Sequence, residues 1–138
     1  MFKMPAGKYW VGDPCYCFDG SWGKILDKSK YLKEPYYRED GVAVVCALST
    51  AHGDGMYLDR QGRSYPVDAG LIGLVLCGEE DYAPGSRIVE FAGEIKCYVN
   101  DDVAGHVIVF DSGDVRIEIP TESEGEEDNY ADEEDDDQ

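Results

Sequence analysis

Three short segments of the chain place an acid, or an acid and a histidine, beside Gly or Pro at predicted strand ends: Gly-Asp-Pro-Cys-Tyr (12–16), His-Gly-Asp-Gly (52–55) and Val-Asp-Ala-Gly (67–70). If the segments meet at one end of a sheet, Asp13, His52, Asp54 and Asp68 form a cluster of three carboxylates and one imidazole. Carboxylate oxygens suit a divalent cation, and a histidine that titrates near neutral pH can act as an acid or base. These four residues are therefore the candidates for a ligand or metal site.

The same residues also have a purely structural interpretation. An Asp before Gly or Pro accepts backbone N–H bonds in a turn, and a buried carboxylate can hold two loops together. This interpretation applies most directly to Asp13 and Asp68, whereas His-Gly-Asp-Gly is an unusual turn sequence that keeps a functional role open for His52 and Asp54. The sequence contains no G-x-S-x-G, Walker A, G-x-G-x-x-G or H-E-x-x-H motif. We therefore assign no catalytic residue.

The five cysteines of the chain are odd in number and lie mostly in apolar, strand-like surroundings. No stretch approaches the roughly 20 apolar residues of a membrane span, and the N-terminus lacks the apolar run of a signal peptide. We therefore expect reduced thiols in the cytoplasm and no membrane partner. Cys15 and Cys17 would share one face of a strand, but no second close-spaced pair completes a zinc site. No cofactor is expected beyond the divalent cation considered above.

Charge is distributed unevenly along the chain. The last eighteen residues, 121–138, contain eleven Asp or Glu and no Lys or Arg, which gives −11 of the net −18 and leaves −7 for residues 1–120. Such a segment repels itself and buries little apolar surface, so we expect one folded domain (1–120) followed by a disordered acidic tail. Five basic residues between Lys24 and Arg38 form either a solvated helix face or a small basic patch that the tail could cover.

The spacing of apolar residues predicts a mainly β domain with one helix. Apolar residues at helical spacing begin at Trp22 and predict a helix over about 20–33, which Pro35 ends. Apolar or alternating runs between turn signals predict strands, and Cys15–Phe18 is expected to be a further short extended piece. The expected strands cover residues 8–11, 42–48, 56–58, 64–67, 70–77, 87–91, 95–99, 105–110 and 115–119. This pattern favours a small antiparallel barrel or sandwich.

Residues 12–16, 52–55 and 67–70 resemble a loose group of small phage and bacterial proteins of unknown function. Proteins of that group carry a Gly/Ser-Asp-Pro-Cys-Tyr start and a later Val-Asp-Ser-Gly, and here Ala69 takes the position of the Ser. The likeness covers about residues 8–75. It implies a phage-linked origin and no established chemistry, so no functional residue is carried over from it.

Three functional hypotheses follow from the sequence. The one we favour is a small acidic, phage-encoded, non-catalytic protein that inhibits a host defence or nucleic-acid-binding protein, because aligned carboxylates imitate the charge of nucleic-acid phosphates. The second is a small-ligand or metal-binding protein, or a hydrolase, that uses the Asp/His cluster. The third is a single-stranded-DNA-binding protein whose tail competes for the site. Tails of that kind usually finish in an aromatic residue, whereas the last aromatic here is Tyr130.

The favoured hypothesis needs an acidic contact surface in the folded body. The partner-binding candidates are acids of two predicted loops: Glu79, Glu80, Asp81, Asp101 and Asp102. The alternative is that their charge only confers solubility. The acidic body argues against direct binding of nucleic acid, and exposed strand edges in a small β domain allow a homo-oligomer.

Overall fold

The computed structural model describes residues 1–18, 20–80, 87–101 and 105–121. Within these ranges the chain forms eleven strands, one 3-10 helix and one α-helix. In chain order they are β1 (Phe2–Met4), β2 (Gly7–Gly12), the 3-10 helix (Pro14–Cys17), α1 (Trp22–Lys28), β3 (Tyr36–Tyr37), β4 (Ala43–Ser49), β5 (Gly55–Leu58), β6 (Ser64–Val67), β7 (Leu71–Leu76), β8 (Ile88–Phe91), β9 (Ile95–Asn100), β10 (Val107–Asp111) and β11 (Arg116–Pro120). The prediction of a mainly β fold with one helix is confirmed.

The strands form two larger antiparallel sheets and a hairpin. One sheet has the order β1-β9-β10-β11 and the other β3-β4-β7-β2-β8, while β5 and β6 pair with each other. Neither sheet closes on itself, so the barrel among the two predicted architectures is wrong. Buried apolar side chains of both larger sheets belong to one core, which is the layered packing of a sandwich.

The five-stranded sheet is buried on both faces. On one face Ile72 and Leu74 pack in the core shared with the four-stranded sheet, where the Sγ atoms of Cys46 and Cys97 lie 3.9 Å apart. On the other face Val75 packs in a second core with residues of α1 and of the 3-10 helix. Burial on both faces explains why β4 and β7 have nearly continuous apolar sequences.

Helix α1 ends at Lys28, five residues before the predicted end. The Ser29 hydroxyl donates to the carbonyl oxygen of Ile25 (2.6 Å) and accepts from the Leu32 N–H (2.9 Å), which replaces the next helical turn. Residues 30–32 have left-handed φ angles of 56°, 62° and 61°. Leu32 therefore lies in a turn and still packs in the same core as Ile25. Its helical spacing from Ile25 led to the incorrect prediction that the helix continued.

Two further predictions about local structure were wrong. Residues 15–18 were expected to be extended, but a 3-10 helix occupies Pro14–Cys17 because Asp13 caps it. Thr121 was assigned to the tail, yet it is fully buried and belongs to the body. The predicted disorder of the tail concerns residues 122–138, which lie outside the described residues. In the described part of the chain, no helix has both the length and the apolar character needed to cross a membrane.

Candidate functional site

Asp13 joins two of the three motifs found in the sequence. Its side chain is fully buried and caps the 3-10 helix, with Oδ1 accepting from the Cys15 N–H (3.0 Å). Oδ2 accepts from the N–H groups of Asp68 (2.8 Å) and Ala69 (2.7 Å). Both carboxylate oxygens are thus used by the backbone, and they tie the turn at residues 13–15 to the turn that follows β6. This geometry is the structural role considered for Asp13.

The third motif, the loop His52–Gly55, reaches the same place. The Thr50 N–H donates to the carbonyl oxygen of Gly70 (3.0 Å), and the Thr50 hydroxyl donates to that of Gly53 (2.7 Å). A Cβ atom added to Gly70 would lie 3.6 Å from the Gly53 Cα, so the two backbones run close together. The three segments therefore converge at one end of the five-stranded sheet.

The convergence brings the backbones together but leaves the side chains in different environments. Asp13 is buried and saturated with hydrogen bonds, whereas His52, Asp54 and Asp68 are exposed. Among the residues that the structure describes, no group of three or more His, Cys, Asp or Glu is arranged to hold a metal ion. What the motifs build is an exposed acidic border above a buried structural carboxylate.

The electrostatic effect of this border is seen in two neighbouring side chains. The pKa of the Tyr16 phenol is raised, first by partial burial and then by nearby negative charge that includes Asp68, Asp13 and Asp54. The pKa of the Cys15 thiol is raised to about 12, again first by burial and then by its hydrogen bond with Asp13. Burial is the larger cause of both pKa shifts, and the nearby negative charge adds to it.

The raised pKa of Cys15 makes a testable prediction. Its thiol is only partly buried, yet we expect it to react slowly with a thiol reagent at pH 8, because the thiolate is the reacting species. A rise from 9.0 to about 12 lowers the thiolate fraction about a thousandfold. The measurement is alkylation by iodoacetamide followed by peptide mapping, with free cysteine as the reference. A rate for Cys15 equal to that of free cysteine contradicts this prediction.

Thr121 fixes the point at which residues 122–138 begin. Its N–H donates to the carbonyl oxygen of His106 (2.7 Å), and its hydroxyl oxygen accepts from the Ala51 N–H (3.1 Å). Ala51 directly precedes the His52–Gly55 loop. The eleven acids of residues 122–138 are therefore attached beside the loop that carries Asp54.

Asp101, one of the partner-binding candidates, lies in the same region. The His106 ring contacts the carbonyl oxygen of Ser49 through Nε2 (2.8 Å) and a carboxylate oxygen of Asp101 through Nδ1 (3.2 Å). The side chain of Asp101 is 75% exposed. We call Asp54, Asp68 and Asp101, together with the attachment point Thr121, the acidic edge.

Two other partner-binding candidates, Glu79 and Glu80, do not join the acidic edge. Glu79 forms an ion pair with Arg38 (3.0 Å), and Glu80 accepts from the Gly78 N–H (2.7 Å). Both residues follow the C-terminal end of β7, whereas the acidic edge lies at the N-terminal end of this strand. The six residues of β7 span about 20 Å, which separates the two places. Asp81 and Asp102 lie outside the described residues.

Sequence reasoning missed two residues of this region. His106 was included in the expected strand over residues 105–110 without a role of its own, and Thr121 was counted with the tail. Their roles depend on Ser49 and Ala51, which are more than 50 residues away in the chain, so no local pattern revealed them.

Comparison of the chain with protein-family models, with curated proteins and with solved structures found no match.

Proposed function

We propose that this protein is a non-catalytic binding protein whose acidic edge, extended by residues 122–138, contacts the basic surface of a nucleic-acid-binding protein. The observation that carries the proposal is the position of Thr121, which attaches eleven carboxylates beside a border that is already acidic. Carboxylates presented together act on a basic partner as phosphates do, through long-range attraction and the release of counterions.

Two carboxylates of the acidic edge differ from several other surface acids in having no arginine partner among the described residues. Asp40, Asp111 and Glu118 each form an ion pair with a neighbouring arginine. Within the described ranges, neither Asp54 nor Asp68 forms an ion pair with Lys or Arg. The charges of Asp54 and Asp68 are therefore available to an external cationic surface.

Origin and compartment are part of the proposal. The resemblance of residues 12–16, 52–55 and 67–70 to small phage and bacterial proteins supports a phage-encoded chain, which makes the partner a host protein and the binding inhibitory. All five cysteines are free thiols, as expected for a protein of the reducing cytoplasm.

The proposal predicts salt-dependent capture of nucleic-acid-binding proteins from a bacterial lysate. The full chain should retain them at about 50 mM salt and release them at about 500 mM, because the attraction is screened. The double variant Asp54→Asn/Asp68→Asn should weaken the binding of a captured partner about two- to tenfold, which calorimetry with the purified partner measures.

A matched control removes two exposed charges away from the acidic edge. Glu90→Gln/Glu94→Gln changes β8 and the turn after it and should leave affinity within about twofold of the original. Retention of no nucleic-acid-binding protein at low salt, or equal losses for the two double variants, would sink the proposal.

A further inference from the structure

A groove of about 450 Å³ lies at the end of the β5–β6 hairpin opposite to the acidic edge. The hairpin turn contributes Arg60 and Arg63 to its lining, and β11 contributes Arg116. Behind the turn, the Arg87 guanidinium stacks 4.9 Å from the centre of the Tyr65 ring. Four of the five arginines of a chain with net charge −18 therefore gather at one place, which we call the arginine groove.

The acids that line the arginine groove are already engaged. Asp59 is buried, and its oxygens accept from the N–H groups of Gln61 (2.9 Å) and Arg63 (3.0 Å) and from the Tyr65 hydroxyl (2.9 Å). Asp114 accepts from the Ala92 N–H (3.0 Å) and from Ser112. These carboxylates hold the walls in place through the backbone and neighbouring hydroxyls.

Glu118 is shared between two arginines. Its oxygens accept from Nε of Arg60 (3.1 Å) and Nε of Arg116 (2.6 Å), which keeps both guanidinium groups at the groove. The two cations also hold the pKa of the Glu118 carboxyl below its usual value, with Arg116 the larger influence. Arg116 also forms an ion pair with Asp111, so Glu118 and Asp111 together position these two guanidinium groups and balance their charge.

Donor groups remain for an external anion. Arg63 forms no ion pair with any residue in the described part of the chain, and the Arg60 guanidinium contacts Glu118 only through Nε. A guanidinium carries five N–H donors in a fork that matches a carboxylate with two parallel hydrogen bonds. The arginine groove is thus suited to bind carboxylates, although the surface of the whole body is acidic.

We propose that the arginine groove binds the acidic segment 122–138 of the same chain. Strand β11 runs from Arg116 at the groove to the end of the body, so Thr121 lies about 17 Å from the groove. Seventeen residues follow Thr121 and can reach about 56 Å when extended, three times the distance needed. The eleven carboxylates supply the complementary charge, and the shared chain supplies an effective concentration on the order of millimolar.

The segment can then bind either the arginine groove or an external basic partner. In the free protein, part of it lies along β11 in the arginine groove, and a basic partner competes for the same carboxylates. The inference goes beyond the proposed function and stands without it, since the groove can hold the segment whether or not a nucleic-acid-binding partner exists.

The test uses nuclear magnetic resonance of the full chain. The amide signals of residues 122–138 should move when salt is raised from 20 mM to 1 M, where the Debye length is about 3 Å. In Arg63→Gln at low salt they should move part of the way to their high-salt positions, with a two- to fivefold fall in the ratio of bound to released segment, about the effect of one exposed ion pair. The body signals report in the same spectrum that the variant is folded.

Lys33→Gln is the matched control, because it removes one exposed charge from the basic patch between Lys24 and Arg38. Its spectrum should show the segment signals at their original positions. Movement in Lys33→Gln with none in Arg63→Gln places the segment on the basic patch and overturns the inference, as does movement in neither variant. Signals that change on dilution from 1 mM to 50 μM mean that the segment binds a second copy, which overturns the intramolecular contact.

Discussion

Replacement of Gly73 by Ala should separate β7, the central strand of the five-stranded sheet, from its neighbour β4. A Cβ atom at Gly73 would lie 1.8 Å from the carbonyl oxygen of Cys46 and 2.6 Å from the Cα of Ala47, which are backbone atoms of β4. Strand β7 is also held on its other side, where Gly73 pairs with Gly12 of β2. Strand β7 therefore cannot shift away from β4 without disturbing its pairing with β2. We expect a loss of at least about 3 kcal/mol in the free energy of unfolding.

Urea unfolding of the purified variant measures this loss. Gly23→Ala is the matched control, because it adds the same methyl group at an exposed position of α1 with no atom within 4 Å. That control should be stabilised by about 0.5–1 kcal/mol, since alanine favours a helix over glycine. An unfolding midpoint for Gly73→Ala equal to that of the original protein would show that β4 and β7 are not paired in this register.

Replacement of Asp13 by Ala should release the turn at residues 13–15 from the turn that follows β6. The change removes a fully buried carboxylate and leaves the N–H groups of Cys15, Asp68 and Ala69 without their acceptor. Hydrogen bonds to a charged group contribute more than neutral ones, and breaking a buried network is among the costliest single changes. We expect a loss of about 3–5 kcal/mol in the free energy of unfolding.

Asp13→Asn should lose less, because one amide oxygen can still accept from part of the same set of N–H groups. Asp68→Asn is the control, since the Asp68 side chain is exposed and only its backbone N–H joins the network. Its effect should stay within about 0.5 kcal/mol. Chemical denaturation compares the three variants, and equal stability of Asp13→Ala and Asp68→Asn would refute the structural role of Asp13.

Most strands could be predicted because their signals are local. The apolar run of β4 and the turn between β5 and β6 each identify an element without knowledge of the rest of the fold. The 3-10 helix could not be predicted in the same way, because Cys15–Phe18 alternates like a strand. Its conformation depends on Asp13, whose other hydrogen bonds are made to residues 68–69.

Strand order depends on contacts between distant parts of the chain. Strand β1 pairs with β9, more than 90 residues later, and β2 lies between β7 and β8. Apolar patterns show that a strand has a buried face, but they do not identify the strands that pair with it or the element that packs on that face. The sequence therefore predicted a sandwich or barrel and could not decide between them.

The acidic edge and the arginine groove differ in how visible they are in the sequence. Asp54 and Asp68 of the edge could be anticipated, because each lies in a turn that pairs an acid with Gly, whereas the position of Thr121 could not. The arginines of the groove are scattered between residues 60 and 116 and form no motif. One signal was present: six of the seven lysines come before residue 34, whereas four of the five arginines come after residue 59. Arginine is the better partner for planar carboxylates, so this division has chemical meaning.

The attachment of residues 122–138 to an edge strand has a mechanical consequence. Strand β11 pairs only with β10 in its sheet, so a partner that pulls on the segment loads the bonds of that pair from one end. The first to carry the force are the bonds of Thr121 to His106 and Ala51. If they yield, β11 peels from the Pro120 end toward Arg116, and Glu118 is drawn away from Arg60. Tension on the segment would thereby open the arginine groove.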